Sequence, residues 1–233
     1  VEQQSETNPY TANKIDEILE KAKNDNYEIG HIFQDGSRFI NIKGHPIFGY
    51  CRYYNFYDKL VQMAAQKEAH FVEVGSFMGQ SSAVMAYLIE KSGKEITFDC
   101  VDLFEISDFS DHEHEAYINT FGGDMFKTFG VNLNMAGLSK YINKAYKGTS
   151  LDVSKLYDDY SLDMVFLDAS HKYEDVVDDI NHWWSKLRIG GYLAGDDFDQ
   201  TDVAKAVLDS FKNYDSLDSG VFKNFGTWYV KKV

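Results

Sequence analysis

From His70 onward, short apolar runs alternate with longer stretches whose apolar residues recur every three to four positions. This is the pattern of successive βαβ units, in which strands are buried in a parallel sheet and helices cover its faces. The runs predict strands at HFVEV before Gly75, at EITFDCVD ending in Asp102, over 142–146 before Gly148, at LDMVFLD ending in Asp168, and at GYLAGDD ending in Asp196 and Asp197. A helix is expected over 79–91, stopped near Gly93. The best-marked helix lies between the fourth and fifth runs, with Val176, Val177, Ile180, Trp184 and Leu187 on one face. Ser170 is its expected N-cap, Glu174 and Asp175 suit the positive end of its dipole, and Gly190-Gly191 reads as its stop. Trp183-Trp184 reads as helix core plus one boundary ring. A further helix over 203–211 leads into VFKNF and TWYVKK, an expected antiparallel pair.

The rest of the chain departs from this rhythm. Residues 1–68 carry helical patterns in Ile15, Ile18, Leu19 and in Phe56, Leu60, Val61, Ala64, around an aromatic, glycine-containing stretch over 29–57. They are read as an N-terminal helical and aromatic cap on a domain over 69–233. Between the second and third runs, residues 103–140 form a long insertion with an acidic, histidine-bearing loop, SDFSDHEHE, and one expected helix over 125–133. Insertions after strand C-termini tend to be lids or substrate loops. There is no internal repeat and no low-complexity segment.

Composition narrows the function classes. A 233-residue chain with 44% hydrophobic residues, including 17 Phe, 16 Tyr and 3 Trp, can build one sizeable core. Its 37 acidic against 23 basic residues give a net charge of −14, with no basic patch, which argues against nucleic-acid and anionic-membrane partners. No apolar run has membrane-spanning length, and the opening VEQQSETNPY lacks the features of a secretion signal. Cys51 and Cys100 make no disulfide framework, and Cys100 falls in an apolar run that buries it. A soluble, cytoplasmic protein is expected, with homo-oligomerisation left open.

In an open α/β sheet, ligands bind beyond the C-terminal strand ends where strand order reverses. The first such end is EVGSFMGQSS, residues 73–82, a glycine turn between strand and helix. Gly75 suits a tight turn and Gly79 a close backbone approach, while the helix N-terminus offers free N–H groups. The dinucleotide fingerprint G-x-G-x-x-G is absent. Glu73 would repel a pyrophosphate but welcome an ammonium or sulfonium. Asp102, ending the second run, suits a pair of ribose hydroxyls, a role that either nucleotide class uses.

With EVGSFMGQSS, VD at 101–102, GTS at 148–150, DASHKYEDVVDDI from Asp168 and GGYLAGDDF from Gly190, the chain resembles class I S-adenosylmethionine-dependent methyltransferases over 71–198. More narrowly it is similar to the group with macrocin-type sugar O-methyltransferases and cephalosporin hydroxylase-like proteins. The resemblance implies a Rossmann-like, doubly wound, mostly parallel seven-stranded sheet, with first and fourth strands adjacent and the fifth beside the fourth. It implies S-adenosylmethionine held by Glu73, Gly75, Ser76, Phe77, Gly79 and Ser81, with Asp102 on the ribose, Ser150 near the adenine, and Asp168 beside them. Adjacent strands lie ~4.8 Å apart, so Asp168, Asp196 and Asp197 would converge. Three such carboxylates need a cation, and Mg²⁺ with oxygen ligands fits; the alternative is strand-end and capping acids. His171 occupies the offset from Asp168 at which catechol-type methyltransferases place a lysine base, so it and Asp168 are the catalytic candidates, with Lys172 in reserve. His112 and His114 could ligate a metal or lie on a solvated face. The implied activity is metal-assisted methyl transfer to a hydroxyl of a small molecule such as a sugar or natural product. The alternatives are a non-methylating, hydroxylase-like member of the fold or a regulatory protein with a retained nucleotide pocket.

Overall fold

A hairpin opens the described part of the chain, with β1 (Phe39–Ile42) and β2 (His45–Phe48) pairing antiparallel. Its turn, Lys43-Gly44, has φ of 55° and 80°, the left-handed pair that a two-residue type I′ turn requires. The structure is a computed structural model describing residues 38–105, 112–211, 219–222 and 226–233. The helical pattern of Ile15, Ile18 and Leu19, residues 106–111 of the acidic loop and residues 223–225 of VFKNF lie outside the described residues.

After the hairpin come α1 (Tyr54–Met63), β3 (Lys67–Val74), α2 (Gln80–Ser92), β4 (Glu95–Asp102), α3 (His112–Thr120) and α4 (Met125–Met135). A 3₁₀ turn at Ser139–Tyr141 precedes β5 (Lys144–Lys147), α5 (Ser150–Ser154), β6 (Leu162–Leu167), α6 (Tyr173–Trp184) and β7 (Leu187–Gly195). The chain continues through α7 (Thr201–Phe211), β8 (Ser219–Phe222) and β9 (Thr227–Lys231). The main sheet has seven strands in the order β5-β4-β3-β6-β7-β9-β8. The first five are mutually parallel, and β9 runs antiparallel to both β7 and β8. The chain winds outward one way from β3 and the other way from β6, so their C-terminal ends form the crevice of the reversal.

Alternation along the strands sorts side chains between two cores. Phe71, Phe98, Met164 and Phe166 face one side, where the hairpin, α1, α2 and α4 pack; Val72, Val74, Val165 and Leu167 face the other, against α6 and α7. Tyr53 and Tyr57 set their rings 4.5 and 4.8 Å from that of Phe166, so the first core runs continuously from the N-terminal segment to the sheet. Helix α2 is buried nearly all round, with Gln80 through Ala86 and Ile89 enclosed between the sheet and the overlying elements. Lys94 secures the end of α1 by donating to the carbonyls of Val61, Gln62 and Ala64 at 2.5–2.8 Å.

Several local expectations change. The third strand lies at Lys144–Lys147, beyond 142–146, because Ser139–Tyr141 coils and Asn143 N still bonds Phe98 O in the approach to the sheet. Gly190-Gly191 does not stop α6: both lie within β7, and α6 ends at Trp184, where Lys232 Nζ donates to the Trp184 and Leu187 carbonyls. Lys172, not Ser170, is the N-cap, because the Ser170 hydroxyl is turned to Asp175 Oδ2 at 2.6 Å. Trp183 is the fully buried ring of its pair and Trp184 the boundary one. Part of the acidic loop is helical, as α3, and both cysteines are buried and free.

Gly75 is the tightest point of the architecture. A Cβ there would lie 1.9 Å from the Asp168 carbonyl oxygen, at a φ of +95°. Gly75→Ala should therefore cost at least about 2 kcal/mol of stability, since neither backbone can retreat without breaking sheet bonds. Urea unfolding checks this, and a midpoint equal to that of the parent would contradict the close approach.

Candidate active site

The parallel strands end at one level because each terminal amide bonds its neighbour. Gly75 N donates to Val101 O, Asp168 N to Val74 O, Asp196 N to Leu167 O and Gly148 N to Asp102 O, at 2.8–3.2 Å. The residues just past the strands thus meet around one cavity of about 900 Å³, lined by Gly75, Ser76, Phe77, Ser81, Asp102, Ser150, Asp168, His171, Asp196 and Asp197, among others. Phe77, Phe104 and Asp197 take left-handed φ of 46°, 50° and 60° at the ends of β3, β4 and β7. Such strain concentrates where side chains are held for function.

At one end, Asp102 ties two loops together. Its Oδ2 accepts from Phe77 N at 2.8 Å and its Oδ1 from Phe104 N at 2.6 Å. Burial pushes its carboxyl up, against the pull of these amides. The Ser76 hydroxyl is buried beside the Glu73 carboxyl, beneath the turn, so Ser76 meets the cavity with its backbone. Beyond Asp102, Thr149 caps α5, and Ser150 Oγ accepts from Trp183 Nε1 at 2.8 Å. Exposed Leu103 and Leu151 flank this end.

Two expected contacts move. Glu73 does not line the cavity; it shares Phe71's side of β3 by the two-residue alternation and points into the core beneath the turn. There it accepts from Tyr57 OH at 2.8 Å and from the Ser82 hydroxyl. Gly79, with φ of 86° at the start of α2, also stands back from the cavity, its Cα side against Phe129. The close backbone approach expected of Gly79 occurs at Gly75 instead. The cavity wall carries the negative charge expected of Glu73. Asp102, Glu105, Asp168, Asp175, Asp178, Asp179, Asp196 and Asp197 line it, against Arg52 as the one Lys or Arg among the described lining residues. A pyrophosphate is repelled there and a sulfonium favoured.

The other end is acidic. Asp168, His171 and Asp197 offer ligand atoms within 4.8 Å of one another, and Asp196 stands outside that group. Asp168 Oδ2 accepts from Tyr53 OH at 2.6 Å, and Asp197 Oδ2 lies 2.8 Å from His171 Nε2. Arg52 Nη2 sits 3.1 Å from Asp197 Oδ1 and 3.5 Å from Asp196 Oδ2. Gln200 Nε2 approaches His171 Nδ1 at 3.2 Å, so Nδ1 accepts and Nε2–H donates to Asp197. Burial and the Asp196 charge drive Asp168 well above the usual carboxylate range, and burial beside Asp197 raises Asp196 to about 6. Asp197 is held below its ordinary value because His171 outweighs its burial, and the same hydrogen bond raises His171. Two carboxylates and an imidazole form a donor set that suits a divalent cation.

Arg52 and Tyr53 escaped the sequence reading. They sit in CRYYNF, which reads as aromatic core, and only the tertiary fold lays it against the ends of β6 and β7. Gln80 was missed too. It fixes that segment by accepting from Cys51 N and donating to the Arg38 and Ile47 carbonyls. Of the H-x-H pair, His114 is buried and packs against Phe48, Phe77 and Tyr50, while the His112 side chain lies outside the described residues.

Glu73→Gln distinguishes a buried brace from a ligand contact. Burial raises the Glu73 pKa above its ordinary 4.5, so its contribution to stability is fully present below that value and is lost as pH rises through the folded-state pKa. The variant should gain on the parent as pH rises from about 4.5 toward neutral, and should keep its affinity for S-adenosylmethionine. Denaturation across pH and calorimetry check this; a large loss of affinity would return Glu73 to the ligand.

The sequence matches the family described as "Methyltransferase domain" over residues 72–198. No curated protein sequence matches the chain. Among solved structures, the O-methyltransferase NovP is similar at 16% identity and a TM-score of 0.59, covering 77% of this chain and 79% of NovP. A putative rRNA-methylase from Clostridium thermocellum is similar at 13% identity and a TM-score of 0.54, covering 80% of this chain and 100% of that one. A methyltransferase from Geobacter sulfurreducens follows at 12% identity and 0.53, covering 79% and 80%. The family match spans the glycine turn, Asp102 and the acidic strand ends, and the fold is shared with these structures: the chain belongs to the methyltransferase-domain family, as a class I S-adenosylmethionine-dependent methyltransferase.

Proposed function

We propose that the protein transfers the methyl group of S-adenosylmethionine to an oxygen of a small hydroxylated molecule, such as a sugar or natural product. The observation that carries this reading is one continuous cavity with two unlike ends, one with Asp102 and Ser150 flanked by apolar Leu103 and Leu151 and one with the Asp168, His171 and Asp197 group. NovP, described as an O-methyltransferase, lends support through its shared fold.

Asp102 lines the cavity while it accepts from the Phe77 and Phe104 amides, and a carboxylate so held still has acceptor capacity for ribose hydroxyls. Leu103 and Leu151 offer apolar surface to the adenine beside Ser150, and the Gly75–Ser76 backbone faces the methionine part. Asp168 and Asp197, with Asp196 adjacent, would hold a divalent cation, which when bound polarises the acceptor hydroxyl. His171 takes the hydroxyl proton at Nδ1 once the acceptor displaces Gln200, while Asp197 on Nε2–H orients the ring and stabilises the imidazolium. S-adenosylmethionine, when bound, would supply the methyl group to the acceptor oxygen from its sulfonium and be left as the neutral thioether.

Labelled S-adenosylmethionine incubated with a panel of hydroxylated acceptors tests the reading, with and without chelator. Methyl ethers are expected, and turnover should fall in chelator. Methylation only at nitrogen or carbon would overturn the oxygen assignment, and full turnover in chelator would remove the cation. Asp102→Asn should weaken S-adenosylmethionine binding about tenfold to a hundredfold by calorimetry, through loss of charge-assisted acceptor bonds. His171→Asn should lower kcat ~10²- to 10⁴-fold while sparing that affinity. Near-parental turnover in the Asn variant across pH 6 to 9 would leave activation to the metal alone.

A further inference from the structure

Carboxylates as close as Asp168, Asp196 and Asp197 call for a cation, and the fold already supplies one. Arg52 spans Asp197 at 3.1 Å and Asp196 at 3.5 Å, its neighbour Tyr53 holds Asp168 Oδ2, and His171 holds the second oxygen of Asp197. Asp168 and Asp197 are the carboxylates that would hold a divalent cation, and Arg52 already engages Asp197 and its neighbour Asp196. We propose that Arg52 is the resident counter-ion of this site and competes with a divalent cation for it, so that a side chain of the N-terminal segment sets the metal affinity of the centre. The inference rests on the metal-assisted reading given above.

The surroundings of Arg52 favour exchange by side-chain rotation. Its backbone is clamped on both sides, at Cys51 N by Gln80 Oε1 and at Tyr53 by ring packing on Phe166 and Tyr57. The Arg52 side chain itself is 46% exposed, and a guanidinium on a long, solvated stem can swing clear without moving that backbone. A partly exposed ion pair is weak, and a doubly charged ion bound by two carboxylates exceeds it in Coulomb attraction. The guanidinium thus lets a matching divalent ion in while it keeps the carboxylates neutralised beforehand.

Calorimetric titration of the full chain with MnCl₂, without S-adenosylmethionine, tests this. Arg52→Gln should bind Mn²⁺ about tenfold more tightly than the parent, because a competing positive charge is gone. Arg52→Lys, which keeps the charge but not the fork, should bind close to the parent. Asp197→Asn should abolish binding in either background, and Asn tolerates the left-handed φ of 60° at that position. Equal or weaker binding by Arg52→Gln would overturn the competition while leaving the metal reading in place. Binding by neither protein would overturn both.

Discussion

The bonds from Gly75 N to Val101 O, Asp168 N to Val74 O and Asp196 N to Leu167 O make parallel strands end together. That shared level is the constraint on which the site depends. A slip of one residue in any strand would turn its terminal acid to the opposite face of the sheet. Gly75 tightens the constraint further, since the β3 and β6 ends approach so closely there that no side chain fits between them. The cavity opens where the strand order reverses, and the strained Phe77 and Asp197 line it.

The same convergence creates an electrostatic difficulty. Burial and mutual repulsion raise Asp168 and Asp196, whereas Asp197 stays low through His171. The protein distributes the charge through hydrogen bonds from different parts of the chain: Tyr53 to Asp168, Arg52 to Asp196 and Asp197, and His171 to Asp197. The N-terminal segment is therefore electrically part of the centre. Glu73 is a separate buried carboxyl, satisfied by the Tyr57 and Ser82 hydroxyls.

How much of this was legible in the sequence follows from the range of each interaction. The strand EITFDCVD and the start of the α6 face at Val176 and Ile180 are local patterns, and the structure has β4 at Glu95–Asp102 and α6 over Tyr173–Trp184, with Trp183 in place of the expected Trp184 as its buried ring and Leu187 already in β7. Strand-end residues such as Asp102 and Asp168 were legible because a parallel sheet must present them on one edge. Glu73 was misplaced because a charge in a strand end was weighed by sequence position, without the alternation that carries it to Phe71's side. Gly190-Gly191 misled because two glycines suit a β-strand irregularity as well as a helix stop; here the β6–β7 register shifts between Leu162 and Met164, beside them. Arg52, Tyr53 and Gln80 had no local signal at all. Their partners lie 145, 115 and as many as 42 positions away in the chain.

The central claim is that the crevice between β3 and β6 is a S-adenosylmethionine site with an acidic wall. Calorimetric titration of the full chain with S-adenosylmethionine, and separately with NADH, tests it most directly. Saturable binding of S-adenosylmethionine at one site per chain, with no heat from NADH, is expected from a wall that favours a sulfonium and repels a pyrophosphate. Saturable binding of NADH with none of S-adenosylmethionine would contradict it.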